Sequence, residues 1–153
     1  MTDAGLGLIP VGFVHSPFKR AEDIPRERNI DPRGFDDVEG TIELFPEYEE
    51  GLQDIDGFSH LIVIFAFHQA GPRPGGAGLL SPPPFQTEPR GVFATRSPHR
   101  PNPLGMTIVR LRGRTGRVLR VSGLDMVEGT PVLDIKPYTL KDRKSRLKTG
   151  WIK

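Results

Sequence analysis

Glycine and proline interrupt this chain so often that short strands joined by turns are favoured over long helices. The 153 residues include 18 glycines and 16 prolines, and they separate short apolar runs. Proline lacks a backbone N–H donor and glycine weakens the interior of regular elements, so both favour turns. The sequence therefore predicts one mainly β domain of short strands, turns and long loops.

The apolar runs predict seven strands and few helical turns. The strands are expected at 6–15, 41–45, 61–67, 91–95, 106–112, 118–124 and 131–135. The run 61–67 is apolar throughout, which predicts a central strand buried on both faces. Residues 18–40 and 71–84 predict long loops, and residues 46–53 predict one or two helical turns that begin at a proline. This arrangement is typical of an antiparallel sheet that curls or closes.

Several classes of site are excluded by what the sequence lacks. The chain has no cysteine, and its four histidines lack the short spacing of metal ligands, so we expect no metal site. The glycine-rich stretch 71–78 contains prolines and precedes no helix, so it does not match a dinucleotide fingerprint or a phosphate-binding loop. No apolar run is long enough to span a membrane and the first residues do not form a secretory signal, so we expect a cytoplasmic protein.

Charge is distributed unevenly along the chain. Thirteen of the 19 acidic residues lie between Glu22 and Asp56. Eight arginines without an intervening acid follow, from Arg90 to Arg120. Such a run predicts either a surface that contacts the phosphates of a nucleic acid, or outward strand positions that pair with the acidic half of the fold.

Three segments combine rigid backbone with clustered polar side chains. The first, residues 93–106, joins two expected strands and holds three prolines, two arginines, a histidine and an asparagine. Proline restrains the backbone, so such a loop loses little entropy when it binds a ligand. The second is the turn 125–131, whose two carboxylates either accept hydrogen bonds from ribose hydroxyls or are solvated. The third, residues 131–138, places Asp134 and Lys136 on one face of a strand, a spacing more typical of a structural ion pair.

These segments resemble the TrmO family, also called TsaA-like or YaeB-like proteins. The resemblance runs from about Leu8 to Tyr138 and rests on motifs in the family's order. They are Phe13–Phe18, Ile24–Glu27, Gly57–His60, Phe67–Gln69, the proline loop 93–106 and the segment 125–138. The proline loop and the stretch Gly129–Tyr138 are specific enough to carry the resemblance by themselves.

The resemblance implies a fold, a cofactor and a substrate. It implies a single-sheet antiparallel β-barrel that forms a homodimer and binds S-adenosylmethionine. It further implies N6-methylation of threonylcarbamoyl-adenosine beside the anticodon of tRNA. By the same resemblance, the cofactor contacts are Pro25, Arg26, Glu27, His68, Gln69, Arg96, Met106, Glu128, Gly129, Thr130 and Pro131.

The sequence departs from the family at two of these positions. Glu27 stands where the family usually has Gln, and Glu128 where it usually has Asp. Both keep a hydrogen-bond acceptor, but Glu27 adds a charge. For the base that accepts the N6 proton, the candidates are Asp134 and Tyr138, and the sequence does not choose between them. Two other functions remain open: a non-catalytic RNA-binding barrel, and a methyltransferase with a small-molecule acceptor.

The chain is expected to divide into a barrel domain, residues 1–140, and a basic tail, residues 141–153. The tail holds six lysines or arginines against one acid, Asp142. A segment of this composition predicts an arm that contacts phosphates and adds little to stability. The alternative is that Trp151 anchors the tail on the barrel or on a partner subunit.

Overall fold

Six antiparallel strands form one closed barrel. The computed structural model describes residues 5–70, 79–83 and 85–152, apart from the side chain of Ile30. The barrel strands are β1 (Gly12–His15), β2 (Glu39–Leu44), β3 (His60–Ala66), β6 (Leu104–Thr115), β7 (Val118–Ser122) and β8 (Pro131–Pro137). Two short strands, β4 (Leu80–Ser81) and β5 (Arg90–Gly91), pair with each other between β3 and β6. The expected small single-sheet barrel with long loops is confirmed.

The strand order around the barrel is β1-β2-β7-β6-β3-β8. β8 closes the sheet against β1, with Gly12 opposite Val132 and Phe13 opposite Pro131. The N–H of Val11 also donates to the carbonyl of Val132 at 2.7 Å. Because closure pairs the outer strands with each other, the barrel has no open sheet edge.

Alternate side chains of each strand fill the barrel. Leu61 and Val63 of β3 are fully buried, as are Ile42, Val109 and Leu119 on neighbouring strands. The residues between them on β3 are only half-buried. This period of two follows from the pleat of a strand, which turns successive side chains to opposite faces. The expectation that residues 61–67 are buried on both faces is therefore wrong, since β3 belongs to a barrel with one covered face.

One glycine is required by the packing of the core. A Cβ on Gly105 would overlap the Phe65 ring, which lies directly across from it in the β3–β6 pair. The absence of a side chain lets this ring fill the end of the barrel, where it contacts Phe67 edge-on at 5.2 Å between centroids. The start of β6, which follows the proline loop, is thereby held against the end of β3.

The structure corrects two other expected strands. Residues 92–94 form a turn of 3-10 helix rather than the strand expected at 91–95, and only Arg90–Gly91 pairs as a strand. The expected opening strand 6–15 is a strand only from Gly12, which lies opposite Leu44, the last residue of β2. The expected helical turns at 46–53 are confirmed as a 3-10 helix, Pro46–Leu52. Further 3-10 turns are Ala21–Asp23, Arg26–Ile30, Ile55–Gly57 and Leu140–Asp142.

The basic tail contacts the body of the protein through Trp151. Its indole Nε1 donates a hydrogen bond to the carbonyl of Ala94 at 2.8 Å. The Arg90 guanidinium lies over the indole ring, 5.6 Å from the ring centroid. Leu147 and most charged side chains of the tail are exposed. The tail therefore makes the contact that the anchoring alternative requires, while its charges face outward.

Candidate functional site

Three long connections meet at one end of the barrel. Adjacent strands run in opposite directions, so β1, β3 and β7 all finish at the same end. Residues 16–38, 67–103 and 123–130 therefore all leave from that end, which we call the site rim. The connections touch one another there: Phe67 N–H donates to Pro103 O at 2.8 Å, and Glu128 N–H donates to Phe18 O at 2.7 Å.

The cofactor contacts expected from the resemblance lie on the site rim although they are distant in sequence. They come from the first connection (Pro25, Arg26, Glu27), the turn after β3 (His68, Gln69), the proline loop and the start of β6 (Arg96, Met106) and the turn before β8 (Glu128, Gly129, Thr130, Pro131). Arg26, Glu27, His68, Gln69 and Arg96 are exposed. In the described part of the chain, no carboxylate lies within ion-pair distance of Arg26 or Arg96. These side chains are thus available to a polar ligand.

The proline loop is held by its own side chains. One guanidinium nitrogen of Arg100 donates to the carbonyls of Thr95 at 3.0 Å and Ser97 at 3.1 Å. The Thr95 hydroxyl in turn donates to the carbonyl of Val92 at 2.8 Å. Arg100 therefore fixes the loop, whereas Arg96 on the same loop faces solvent. This difference between the two arginines is not visible in the sequence.

Asp125 is a carboxyl group that lies inside the site rim. The hydroxyl of Thr107, the residue after Met106, donates to Asp125 Oδ1 at 2.6 Å. Burial raises the pKa of the Asp125 carboxyl, and the Thr107 hydrogen bond and the nearby positive charge of Arg96 only partly oppose it. A carboxyl with a raised pKa near an arginine is a frequent feature of functional sites. The sequence does not distinguish Asp125 from the other carboxylate of this turn, because the burial of Asp125 depends on strand β6.

The second carboxyl of that turn, Glu128, is tied to the end of β1. Its Oε1 lies 2.8 Å from His15 Nδ1, and its Oε2 accepts the backbone N–H of Ser16 at 2.7 Å. Desolvation raises the pKa of Glu128, but the bonds from His15 and Ser16 together outweigh it, and the pKa is lowered. Both oxygens already have partners, so this carboxylate stabilises the turn.

The rest of the turn is built from backbone and one buried hydroxyl. Gly129 has a φ of +79°, a conformation that favours glycine, and its N–H donates to the carbonyl of Val14 at 2.8 Å. The Thr130 side chain is 2% exposed, and its hydroxyl donates to the carbonyl of Val127 at 2.6 Å. Pro131 then opens β8. What this turn presents at the site rim is mainly its backbone.

The two candidate bases, Asp134 and Tyr138, lie at different levels of the barrel. Asp134 is in the middle of β8, on the outer face opposite Ile64, and it forms an ion pair with Lys136 at 3.0 Å. Tyr138 follows the last residue of β8, and its N–H donates to the carbonyl of His60 at the start of β3. A strand of this length spans about 20 Å, so Tyr138 belongs to the opposite end of the barrel. Within one chain, the fold does not bring Tyr138 to the other expected contacts.

The described residues contain neither a cluster of metal-binding side chains nor a membrane-spanning helix. No group of three His, Asp or Glu side chains in residues 5–70, 79–83 and 85–152 is arranged to hold a metal ion. Over the same residues, no helix has the length and apolar character that a membrane span needs.

Comparison with known proteins places the chain in a family. The family profile described as the tRNA-methyltransferase O N-terminal domain matches residues 13–142. A Pyrococcus abyssi protein named "Probable S-adenosyl-L-methionine-binding protein" is 47% identical over 144 residues, 94% of this chain and 74% of that protein. The human tRNA (adenine(37)-N6)-methyltransferase is 39% identical over 129 residues, 84% of this chain and 29% of the human protein.

A solved structure agrees with the family profile. The crystal structure of TrmO from Pseudomonas aeruginosa superposes with a TM-score of 0.73 at 37% sequence identity, over 98% of this chain and 62% of that chain. The present chain thus spans less than two thirds of that protein and about a third of the human one. The profile match, the sequence identities and the shared barrel together show that this chain belongs to the TrmO family.

Proposed function

We propose that this protein is an S-adenosylmethionine-dependent methyltransferase that acts on tRNA. The observation that carries the proposal is the site rim. There, three connections meet, and they carry exposed polar side chains and a half-buried carboxyl group, that of Asp125. Relatives named as an S-adenosyl-L-methionine-binding protein and as a tRNA methyltransferase support it.

The finer part of the proposal concerns the acceptor. We propose the N6 atom of threonylcarbamoyl-adenosine, next to the anticodon, as the atom that is methylated. The human relative is named for N6-methylation of adenine 37 in tRNA, which supports an adenine N6 acceptor. The exposed arginines of β6 and β7 supply positive charge for an RNA backbone.

The residues on the site rim fit a zwitterionic cofactor with an adenosine moiety. Arg96 offers a planar fork of donors that forms no ion pair of 4.0 Å or less with a carboxylate of the described residues, which suits the cofactor's carboxylate. Glu27, Gln69 and the backbone of the turn 128–131 offer acceptors for amino and ribose groups. The bound cofactor supplies a methyl group on a sulfonium. The protein's part is to orient the two reactants, which is where most of the acceleration of such a displacement arises.

For proton removal from N6, Asp125 is the carboxyl group that the fold keeps near Arg96 and Met106. Asp134 lies at the level of Met106 on the outer face but is paired with Lys136, and Tyr138 lies at the opposite end of the barrel. The raised pKa of Asp125 suits a group that accepts a proton near neutral pH better than an ordinary carboxylate.

We also propose that the protein forms a homodimer through an apolar outer face of the barrel. Leu104, Met106 and Ile108 of β6 are 38%, 49% and 45% exposed. They stand beside Ile62 and Ile64 on the outer face of β3. Large apolar side chains grouped on one exposed surface are typical of protein interfaces. A second copy would cover this face and would also place Met106 between the two subunits.

Calorimetric titration with S-adenosylmethionine tests the cofactor assignment. We expect measurable binding by the wild type and affinity reduced about tenfold or more in Arg96→Ala, since a charge-assisted hydrogen bond contributes roughly 1.5–3 kcal/mol. Arg100→Lys serves as a control on the same loop, because its guanidinium bonds only to loop carbonyls. Absence of binding heat in the folded wild type would leave only the RNA-binding alternative.

A methylation assay tests the acceptor. Radiolabelled S-adenosylmethionine is supplied with tRNA that carries threonylcarbamoyl-adenosine, and in parallel with the same tRNA lacking that modification. We expect label in the first tRNA alone. Equal labelling of both would reject the threonylcarbamoyl requirement, and label in neither would favour a small-molecule acceptor.

A further inference from the structure

The five arginines from Arg110 to Arg120 divide into two groups with different environments. Arg114 donates to the carbonyl of Leu52 at 2.9 Å and to that of Gly116 at 2.7 Å, so its guanidinium bonds within the protein. Arg117 is half-buried, and its Nε is enclosed without a hydrogen-bond partner. Arg110, Arg112 and Arg120, by contrast, are exposed on the outer face. Of these five, the second group is open to a large ligand.

A β-bulge aims Arg112 along the sheet. The register of β6 and β7 shifts between Leu111 and Gly113, so Arg112 has no residue opposite it. Its Nε donates to the hydroxyl of Ser122 at 3.1 Å, and the Ser122 side chain is 2% exposed. Bulges re-aim side chains in this way. One edge of the guanidinium is thus fixed by a buried hydroxyl, and its two terminal nitrogens remain for a ligand.

Gly113 makes room for the second guanidinium. Gly113 lies opposite Arg120 in the strand pair, and a Cβ at position 113 would overlap the Arg120 guanidinium. Arg120 therefore lies over the backbone of β6 at Gly113. The hydrogen bond to Ser122 restrains Arg112, which therefore loses less conformational entropy on binding than a free surface arginine does.

The two arginines line one groove. It has a volume of about 490 Å³ and is bounded by Glu39, Gly40, Thr41, Arg112, Arg120 and Val121. Glu39 is the one acid among these six residues, and neither arginine forms an ion pair of 4.0 Å or less with any described carboxylate. The groove therefore keeps uncompensated positive charge.

We propose that Arg112 and Arg120 form a binding site for a phosphodiester group, the backbone of an RNA substrate. Guanidinium forks match the tetrahedral oxygens of phosphate and bind them by paired hydrogen bonds. Ser122 ends β7, and the connection that carries Asp125 and Glu128 begins directly after it. A strand of RNA with its acceptor base at the site rim would pass this groove. This inference rests on the proposed tRNA function, and it names Arg112 and Arg120 as residues that contact the RNA backbone.

Binding of tRNA at several salt concentrations tests the site. The double variant Arg112→Gln/Arg120→Gln should bind tRNA about tenfold or more weakly at low salt. Its plot of log affinity against log salt should be shallower by about 1 to 2, as expected for the loss of two phosphate contacts. A matched control, Arg20→Gln/Arg33→Gln, removes the same charge from two exposed arginines that already neighbour Asp23 and Asp31. Equal effects of both double variants would overturn the site.

Cofactor affinity and a conservative variant separate binding from folding. S-adenosylmethionine should bind the double variant as tightly as the wild type. Arg112→Lys/Arg120→Lys keeps the charge but loses the paired donors, and it should retain the salt dependence while binding tRNA several-fold more weakly than the wild type. If the lysine variant binds like the wild type, the guanidinium geometry that we infer is wrong.

NMR signals of the arginine Nε–H groups in the wild-type protein distinguish binding of RNA from binding of free phosphate. This measurement does not require the protein to methylate its substrate. Oligouridylate of ten nucleotides, which contains no adenosine, should shift the Arg112 signal at micromolar concentration. Inorganic phosphate should do so only at millimolar concentration. If neither probe shifts the Arg112 signal, the binding site is rejected, even if the protein methylates tRNA. If oligouridylate shifts the signal but the protein does not bind S-adenosylmethionine, only the proposed activity is rejected. Equal potency of the two probes would identify a site for small anions and overturn the RNA assignment.

Discussion

At the scale of single residues, two carboxyl groups of one turn have opposite environments. Hydrogen bonds from His15 and Ser16 lower the pKa of Glu128 against its desolvation, whereas burial raises the pKa of Asp125. The first is kept charged and tethers the turn to β1. The second loses part of its hydration beside the proline loop, which disfavours its charged form. Environments that move two carboxyl groups in opposite directions often mark different roles in one site.

The raised pKa of Asp125 predicts a pH-dependent effect on stability. A carboxyl whose pKa is raised in the folded state contributes most at low pH and loses this contribution as the pH rises through the folded pKa. Asp125→Asn still accepts the hydrogen bond from Thr107 but does not ionise. We therefore expect the free energy of unfolding of Asp125→Asn, relative to that of the wild type, to increase between pH 4 and pH 8.

Urea denaturation of both proteins across that range checks this prediction. Asp134→Asn is a suitable control, since Asp134 is half-exposed beside Lys136. A difference between Asp125→Asn and wild type that stays constant with pH would contradict the assignment. If Asp125 removes the N6 proton, Asp125→Asn should also lower the rate of methylation. Its affinity for the cofactor should be nearly unchanged.

At the scale of elements, the tail combines a docked end with exposed charge. Trp151 bonds to Ala94 and stacks beneath Arg90, next to the proline loop. Lys141, Arg143 and Arg146, which precede Trp151 in the tail, are exposed. We therefore propose that residues 141–153 remain a distinct segment, anchored at Trp151, that presents its charges on the outside of the barrel.

Trp151→Ala tests the anchor. The hydrogen bond and the cation–π contact together predict a loss of about 1–2 kcal/mol in the free energy of unfolding. For a domain of this size we expect the melting temperature to fall by several degrees. Leu147→Ala, at a side chain that is 69% exposed, should leave it unchanged. An unaltered melting temperature in Trp151→Ala, with weaker tRNA binding, would instead support the free phosphate arm.

At the scale of the whole molecule, the barrel has one outer face that is apolar and one that is basic. Strand β6 contributes to both, with Met106 and Ile108 near the site rim and Arg110 and Arg112 farther along.

We expect Ile108→Glu to shift the proposed homodimer to monomer, because burial of an unpaired charge at an interface is strongly unfavourable. Light scattering after size-exclusion chromatography measures this. Ile152→Glu, an exposed apolar site on the tail, is the control, and a wild type that is monomeric at all concentrations would reject the dimer.

The sequence by itself determined the class of fold and the segments of the site. Glycine and proline density limited the elements to short strands, and the alternation within them placed β2, β6, β7 and β8 within a few residues of their observed bounds. These signals are local, because turn formation and the period of a strand depend on neighbouring residues. The motifs of the proline loop and of residues 125–138 then indicated the family.

Tertiary structure alone decided which of the polar residues act together. The barrel order brings three connections to one rim, buries Asp125 against Thr107 and leaves Tyr138 at the far end. It also fixed Arg114 to Leu52 while it left Arg112 and Arg120 exposed on the sheet. None of this is encoded in a short window of sequence, because burial and hydrogen-bond partners depend on strands that are distant along the chain.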